Sequence, residues 1–312
     1  MKSKDKHTPI LSGKKYNTTY LLALIFLVSS ALSWAGSSVA GRAASGNIPP
    51  YLLSFIRWAL VAACFAVISG RETWAQRHLI RRHWMLISVF SFFGVVGFTV
   101  PYYVGLQYTV AVNASLMNSS GTLWIILMAF VITSERISKK QVIGVILGFL
   151  GTLTIVLQAD FTRLSQFQIN IGDLLVLTSF FSWAVYTVLL RWKPKNLKEL
   201  PLLTAMTSFG SLMMLPLFIL ELSRGSSFEL NQGNIFIIGY SVIFPSFLAY
   251  IMWNKAVPIV GPSVAAVTQY LIPIFGVTLS VLVLNESIQS FHLISFLFIF
   301  AGIWLVTTGK QD

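Results

Sequence analysis

Arg57 is the most reactive feature of this chain: a guanidinium inside an apolar run, beside Phe55, Ile56 and Trp58. An arginine in a membrane-spanning stretch costs about 2.5–3.5 kcal/mol on insertion scales, so it faces protein or water. Facing a cavity, it could hold a substrate carboxylate or phosphate. It also lies roughly 8 Å from the end of its run, at 1.5 Å per helical residue, which is within snorkelling range of the surface. Trp34 and Trp183 sit midway along two other runs, away from the interfacial belts where Trp gathers. A buried indole N–H needs an acceptor, and Ser33, Ser37 and Ser182 are the nearest hydroxyls in sequence. The two indoles read either as cavity walls or gates, or as packing between helices.

Further polar and aromatic side chains recur at span ends and along span faces. Tyr102, Tyr103 and Gln107 near one end of a run match Trp253, Asn254 and Pro258 in another. Such clusters can stack on a ring and bond polar groups, although a lone Tyr or Trp there is also an interfacial anchor. Asn113, Asn118, Ser119 and Ser120 give one run a polar face, and Gln269 and Tyr270 do the same in another. In lipid these groups must face inward or bond a neighbour. With Tyr186 and Tyr250, the candidate substrate-contacting set is Trp34, Ser37, Arg57, Tyr102, Tyr103, Asn118, Trp183, Tyr186, Tyr250, Trp253, Asn254 and Gln269. Pro101, Pro216, Pro245 and Pro273 are expected to interrupt helices, each freeing the carbonyl four residues back, as at Gln269. Lys255 reads as a substrate anchor or as an ordinary cytoplasmic-side cation.

Several classes of chemistry lack their residues. All ten carboxylates fall in loops or near span ends, so the mid-membrane acids of proton relays are not evident. One cysteine, Cys64, and four scattered histidines give no disulfide and no metal-site pattern. No paired carboxylates, nucleophile–base pattern or Gly-rich phosphate loop appears, and there is no length for a nucleotide-hydrolysing domain. The chain reads as a non-enzyme with no cofactor. Its net charge of +12 would suggest nucleic acid in a soluble protein. Here it reads as Lys and Arg in cytoplasmic loops, with no nucleic-acid partner.

The elements that must position these side chains are membrane spans. Hydrophobic residues make up 55% of the 312 residues and charged residues 10%, far below the roughly 25% charged of a soluble domain. Apolar runs predict helices near 20–40, 52–70, 84–106, 111–133 and 141–158, then 171–191, 201–222, 235–257, 262–284 and 290–308. The first run is too long for a signal-peptide core and reads as an uncleaved span. The chain is duplicated. Ser33-Trp34 recurs as Ser182-Trp183, 149 residues on, and Glu135 recurs as Glu286, 151 residues on. Five spans per copy force the second copy to insert upside down, the architecture of alternating-access transporters. With the N-terminus in the cytoplasm, 18 of the 22 basic residues fall on the inner side, which supports ten spans across the cytoplasmic membrane with both termini in the cytoplasm. The expected fold is an all-α integral membrane protein of ten transmembrane helices in two inverted five-helix repeats. The segments are a basic tail 1–19, a first repeat 20–158, an external linker 159–170, a second repeat 171–308 and a tail 309–312.

Taken together, these residues resemble the EamA family of the drug/metabolite transporter superfamily. The resemblance runs over residues 20–308 and rests on Ser33-Trp34 and Ser182-Trp183, Arg57, Gly105-Leu106 with Ala114-Ser115-Leu116, Glu135-Arg136, Ala256-Val257 with Ala265-Ala266, and Asn285-Glu286. Pro273 in the second half matches the family's mid-span proline, whereas the first half has Thr122 there. The resemblance implies transport of a small organic solute, an amino acid or related amphipathic compound, by alternating access and in the export direction. It also implies a central cavity lined by the first four spans of each half. The fifth spans would support them, and the Gly144-to-Gly148 spacing suits close helix packing. The implied partners are that solute and the lipid bilayer, with the oligomeric state open. Uptake or exchange is the nearest alternative, and a non-transporting membrane enzyme or sensor is the competing class.

Overall fold

A computed structural model describes residues 18–44, 47–109, 111–134, 137–160, 162, 170–284 and 288–309. Glu135, Arg136 and Glu286 lie outside the described residues, as do the side chains of Asn113 and Ser119. The first half contains α1 (Thr18–Ala44), α2 (Pro50–Ala75), the short α3 (Arg77–Arg82), α4 (Trp84–Ser91), α5 (Gly97–Gly105), α6 (Ala111–Thr133) and α7 (Lys139–Leu157). The second contains α8 (Ile171–Leu189), α9 (Glu199–Ser223), α10 (Gln232–Val242), α11 (Ala249–Val260), α12 (Pro262–Thr268), α13 (Leu271–Leu284) and α14 (Ser290–Thr308). Among the described residues, nine helical stretches are long and apolar enough to cross a membrane, and Ser120–Thr133 within α6 is a shorter apolar helix. Leu21, Val67, Met85, Leu212, Leu297 and Trp304 are exposed on the outside of the bundle. In water such a surface would aggregate, whereas lipid tails match it.

Local chemistry sets the helix ends. Pro50 opens α2 in the first turn, where its missing N–H costs nothing. Ser138 with Gln141, and Asn170 with Asp173, form capping boxes at the starts of α7 and α8. Gly261, at φ 87°, lets the chain reverse between α11 and α12 in a conformation that penalises a Cβ.

The prolines meet expectation only in part. Pro101 and Pro216 lie inside unbroken helices, whereas Pro245 falls within a π-helical turn. The Gln269 carbonyl is not left free by Pro273 but accepts the Ile272 N–H at 3.0 Å. Two π-helical turns, Phe92–Val96 and Ile243–Leu248, interrupt the third span of each half. They begin 151 residues apart, the same offset as the later part of the repeat. The halves also differ as Thr122 and Pro273 suggest. α6 runs without a break, whereas α12 and α13 are separated at Gln269-Tyr270.

The two halves interlock through antiparallel pairs. α1 lies along α10 and α11, where Tyr240 Oη donates to Ser33 O at 2.9 Å and Ser30 Oγ to Ala249 O at 3.2 Å. The end of α5 meets the start of α8. A Cβ on Gly172 would lie 2.6 Å from Gly105 O, and Thr109 Oγ1 donates to the buried Asp173. α8 therefore starts at the end of the bundle where α5 stops, opposite to the start of its counterpart α1, and the second copy is inverted. α7 packs on α14 with backbones in contact: a Cβ on Gly302 would sit 2.5 Å from Gly144 O and 2.7 Å from Gly148 N. The expected small-residue role of Gly144 and Gly148 is thus met.

α2 and α9 clasp each other at both ends. At one end the buried Glu221 accepts Tyr51 N–H at 3.3 Å and Leu52 N–H at 2.6 Å, supplying the cap that Pro49 cannot. At the other, the matching Glu72, 149 residues earlier, pairs with Lys198 at the start of α9, and Gln76 Oε1 accepts Lys198 N–H at 3.0 Å. The second clasp is open to solvent, with Lys198 and Glu72 side chains 67% and 36% exposed. A buried carboxylate that caps two orphan N–H groups outweighs an exposed ion pair. Glu221→Ala is therefore expected to cost about 2–4 kcal/mol and Glu72→Ala about 0–1 kcal/mol. Thermal melting of the two purified variants in detergent checks the order, and equal shifts would refute it.

Candidate functional site

The third span of each half loosens its backbone at the π turn, and the opposite half fills the gap. Trp34 Nε1 donates to Pro245 O at 3.0 Å, so its partner is none of the serines that sequence proximity suggests. Ser182 Oγ donates to Phe93 O at 3.0 Å, and Tyr250 Oη donates to Gly94 O. Ser33 Oγ turns back onto Ser29 O at 2.9 Å. Beside these bonds the two indoles stand edge to face, with centroids 5.3 Å apart and planes at 86°.

Between the halves, beside this pair, lies a cavity lined by aromatic, amide and apolar side chains together with Arg57, the mixture typical of small-molecule sites. From the first half, Trp34, Ser37, Arg57, Tyr102 and Asn118 reach its wall. Trp183, Tyr250 and Gln269 do so from the second. The frame follows the repeat: Trp34 and Trp183 stand 149 residues apart, Asn118 and Gln269 stand 151 apart, and each pair faces the same space.

Arg57 does not snorkel. It is 3% exposed. Its Nε donates to Ser246 Oγ at 2.5 Å and its Nη1 to Tyr103 Oη at 2.6 Å. Its guanidinium carbon stands 5.5 Å from the Trp58 ring centroid, a cation–π distance. Ser246 in turn donates to Ser241 O at 2.7 Å, the carbonyl left over by Pro245. Among the described residues no carboxylate pairs with Arg57.

Four of the expected residues stand off the wall. Tyr103 lies behind Arg57 as its acceptor. Tyr186, Trp253 and Asn254 are fully buried and form a packed layer with the base of Tyr250. Tyr186 Oη donates to Asn254 Oδ1 at 2.8 Å, Asn254 Nδ2 to Tyr250 O at 2.9 Å, and Lys193 Nζ to Asn254 O at 3.2 Å. Trp253 contacts both Trp34 and Trp183, at 5.1 and 5.5 Å between centroids. This layer separates the cavity from the Lys193 end of the bundle. Lys255 is exposed and is no part of the wall.

Sequence reasoning missed Phe98, Phe180 and Ile272, all on the wall. As apolar letters in apolar runs they carry no mark of their own. The available signal was helical spacing: Phe98 is one turn before Tyr102 and stacks on it at 5.6 Å, and Phe180 is one turn before Trp183. Among the described residues no group of three or more His, Cys, Asp or Glu is placed to hold a metal.

Comparison with known proteins agrees with this geometry. The model of the EamA-like transporter family matches residues 21–157 and again 170–308. The uncharacterized transporter YyaM of Bacillus subtilis is 26% identical over 258 residues, covering 83% of this chain and 84% of that protein. An uncharacterized transporter of Archaeoglobus fulgidus is 28% identical over 297 residues, covering 94% and 98%. One solved crystal structure superposes with a TM-score of 0.74 at 18% identity, covering 93% of this chain and 96% of its own.

The packed layer yields a stability test. In Asn254→Ala the Tyr186 hydroxyl stays buried without its acceptor, at an expected cost of about 1–3 kcal/mol. The double variant with Tyr186→Phe removes both partners and is expected to lose less than the sum of the two singles. Melting temperatures of the three proteins in detergent measure this, and strict additivity would show that the bond contributes nothing.

Proposed function

The chain belongs to the EamA-like transporter family, and on that premise we propose that the cavity is the substrate chamber of a secondary transporter. It moves a small amphipathic organic solute, an amino acid or related compound, outward across the cytoplasmic membrane by alternating access. The observation that carries this reading is the position of the cavity between the inverted halves, with the same residue pair contributed by each. A site on the axis of an inverted repeat can be exposed to either side by exchanging the conformations of the two halves.

The end of the bundle with Arg77, Arg81, Arg82, Lys193 and Lys198 is the cytoplasmic one in this reading. The Tyr186–Asn254–Tyr250 layer is then the closed inner barrier, and transport requires it to part while the outer side closes. The aromatic and amide walls take up the apolar and polar parts of the solute.

Two measurements test the proposal. In proteoliposomes the purified protein should catalyse counterflow of at least one solute from a panel of amphipathic metabolites. Trp183→Ala should reduce that flux by about tenfold or more, as removal of a central aromatic anchor does elsewhere. Leu212→Ala, on the lipid-facing surface, should leave it unchanged. In a Cys64→Ala background, a cysteine replacing Gln269 should react with a membrane-impermeant thiol reagent chiefly from the side away from the basic loops. Absence of flux across the whole panel would overturn the transport reading, and labelling chiefly from the basic side would overturn the assignment of the closed barrier.

A further inference from the structure

The charge on the chamber wall does not follow the repeat. The wall's indole pair and amide pair each obey the repeat, whereas Arg57 corresponds to Met206, 149 residues on, which is fully buried. The cation therefore belongs to one half only and is not a by-product of duplication.

Its donors are only partly used. A guanidinium has five N–H groups. Ser246 and Tyr103 accept one each, and the remaining three find no acceptor among the described residues, although the group lies on the wall. Ser246 is itself held by Ser241 O, so the fork is anchored from behind and oriented before any solute arrives. Among the described residues the wall carries no Asp or Glu. A positive charge held in a largely apolar chamber without a counter-charge is costly, and a carboxylate meets a guanidinium with two parallel charge-assisted bonds.

Charge balance then discriminates among solutes. A neutral solute leaves the cation unpaired, and a cationic one is repelled. A zwitterion pairs its carboxylate but brings an ammonium for which the wall has no anion, so the chamber stays positive. A mono-anion alone brings the chamber to neutrality. The remaining surface, Trp34 and Trp183 edge to face with Phe98 and Phe180 nearby, accepts a flat apolar body.

We infer that the solute is an aromatic mono-anion, a ring bearing one carboxylate and no amine, with the carboxylate held by Arg57. This rests on the transport reading above and narrows its substrate class.

Four probes in two size-matched pairs separate the cases: N-acetylphenylalanine (anion) with N-acetylphenylalanine amide (neutral), and phenylalanine (zwitterion) with phenylalanine amide (cation). Counterflow in proteoliposomes and quenching of tryptophan fluorescence in detergent are measured for each, with chloride replaced by gluconate in parallel. The expected result is preference for N-acetylphenylalanine by at least about tenfold over the other three, the scale of one charge-assisted bond. Arg57→Gln should abolish the preference, and Arg57→Lys should keep it with weaker binding. The lysine variant guards against misreading a glutamine variant that fails to fold. Preference for the zwitterion or the neutral probe would overturn the substrate class and leave the transport reading standing. Chloride that quenches alone and blocks the anionic probe would show an inorganic-anion site and would also overturn it. Silence of all four probes in both assays counts against this substrate class, and the wider metabolite panel decides separately whether the chain transports.

Discussion

Every backbone N–H and C=O in the apolar slab must find a partner inside the protein. Regular helix meets that demand alone, so each irregularity needs a donor or acceptor from elsewhere. Here the irregular points are the two π turns, and the partners come from the opposite half. Trp34 donates to Pro245 O, Ser182 to Phe93 O and Tyr250 to Gly94 O. Two of these side chains, Trp34 and Tyr250, also line the space between the halves. The cavity is thus bounded in part by the side chains that satisfy backbone polarity at two loosened turns, and both halves contribute to it, as the turns themselves are duplicated.

Much of this was written in the letters. The runs 111–133 and 290–308 became α6 and α14 with the same bounds, because membrane spans are set by length and apolarity, which a sequence displays directly. The Trp and amide pairs stood out because they recur at the repeat offset. The identity of their partners was not legible. Trp34 has Ser33 and Ser37 near it in sequence, yet bonds a carbonyl 211 residues away, since the choice depends on the register between halves. The π turn at Phe92–Val96 contains no proline to announce it, while Pro216 and Pro258 sit in helices that never break. Phe98, Phe180 and Ile272 reach the wall through the rotation of their helices, which an all-apolar run shows only through their spacing from more distinctive neighbours such as Tyr102 and Trp183.

Arg57 shows why departures from the repeat carry information. Duplication explains matched residues without reference to function, but not a cation opposite a buried methionine. Burial of that cation is sustained by Ser246, Tyr103 and the Trp58 ring. The second half offers nothing comparable at Met206. Two halves that share a fold therefore present one chemically polarised chamber.

The clasps between α2 and α9 are unequal in a way that bears on motion. Glu221 holds its end through backbone N–H groups out of reach of water, whereas Lys198 and Glu72 hold theirs in the open, where ions and water compete for both charges. A load that parts these helices meets a stiff end and a soft one. The pair then acts as a lever whose fulcrum is Glu221. In the transport cycle proposed above its travel would be largest at the Lys198 end, the end at which the Tyr186–Asn254 layer packs.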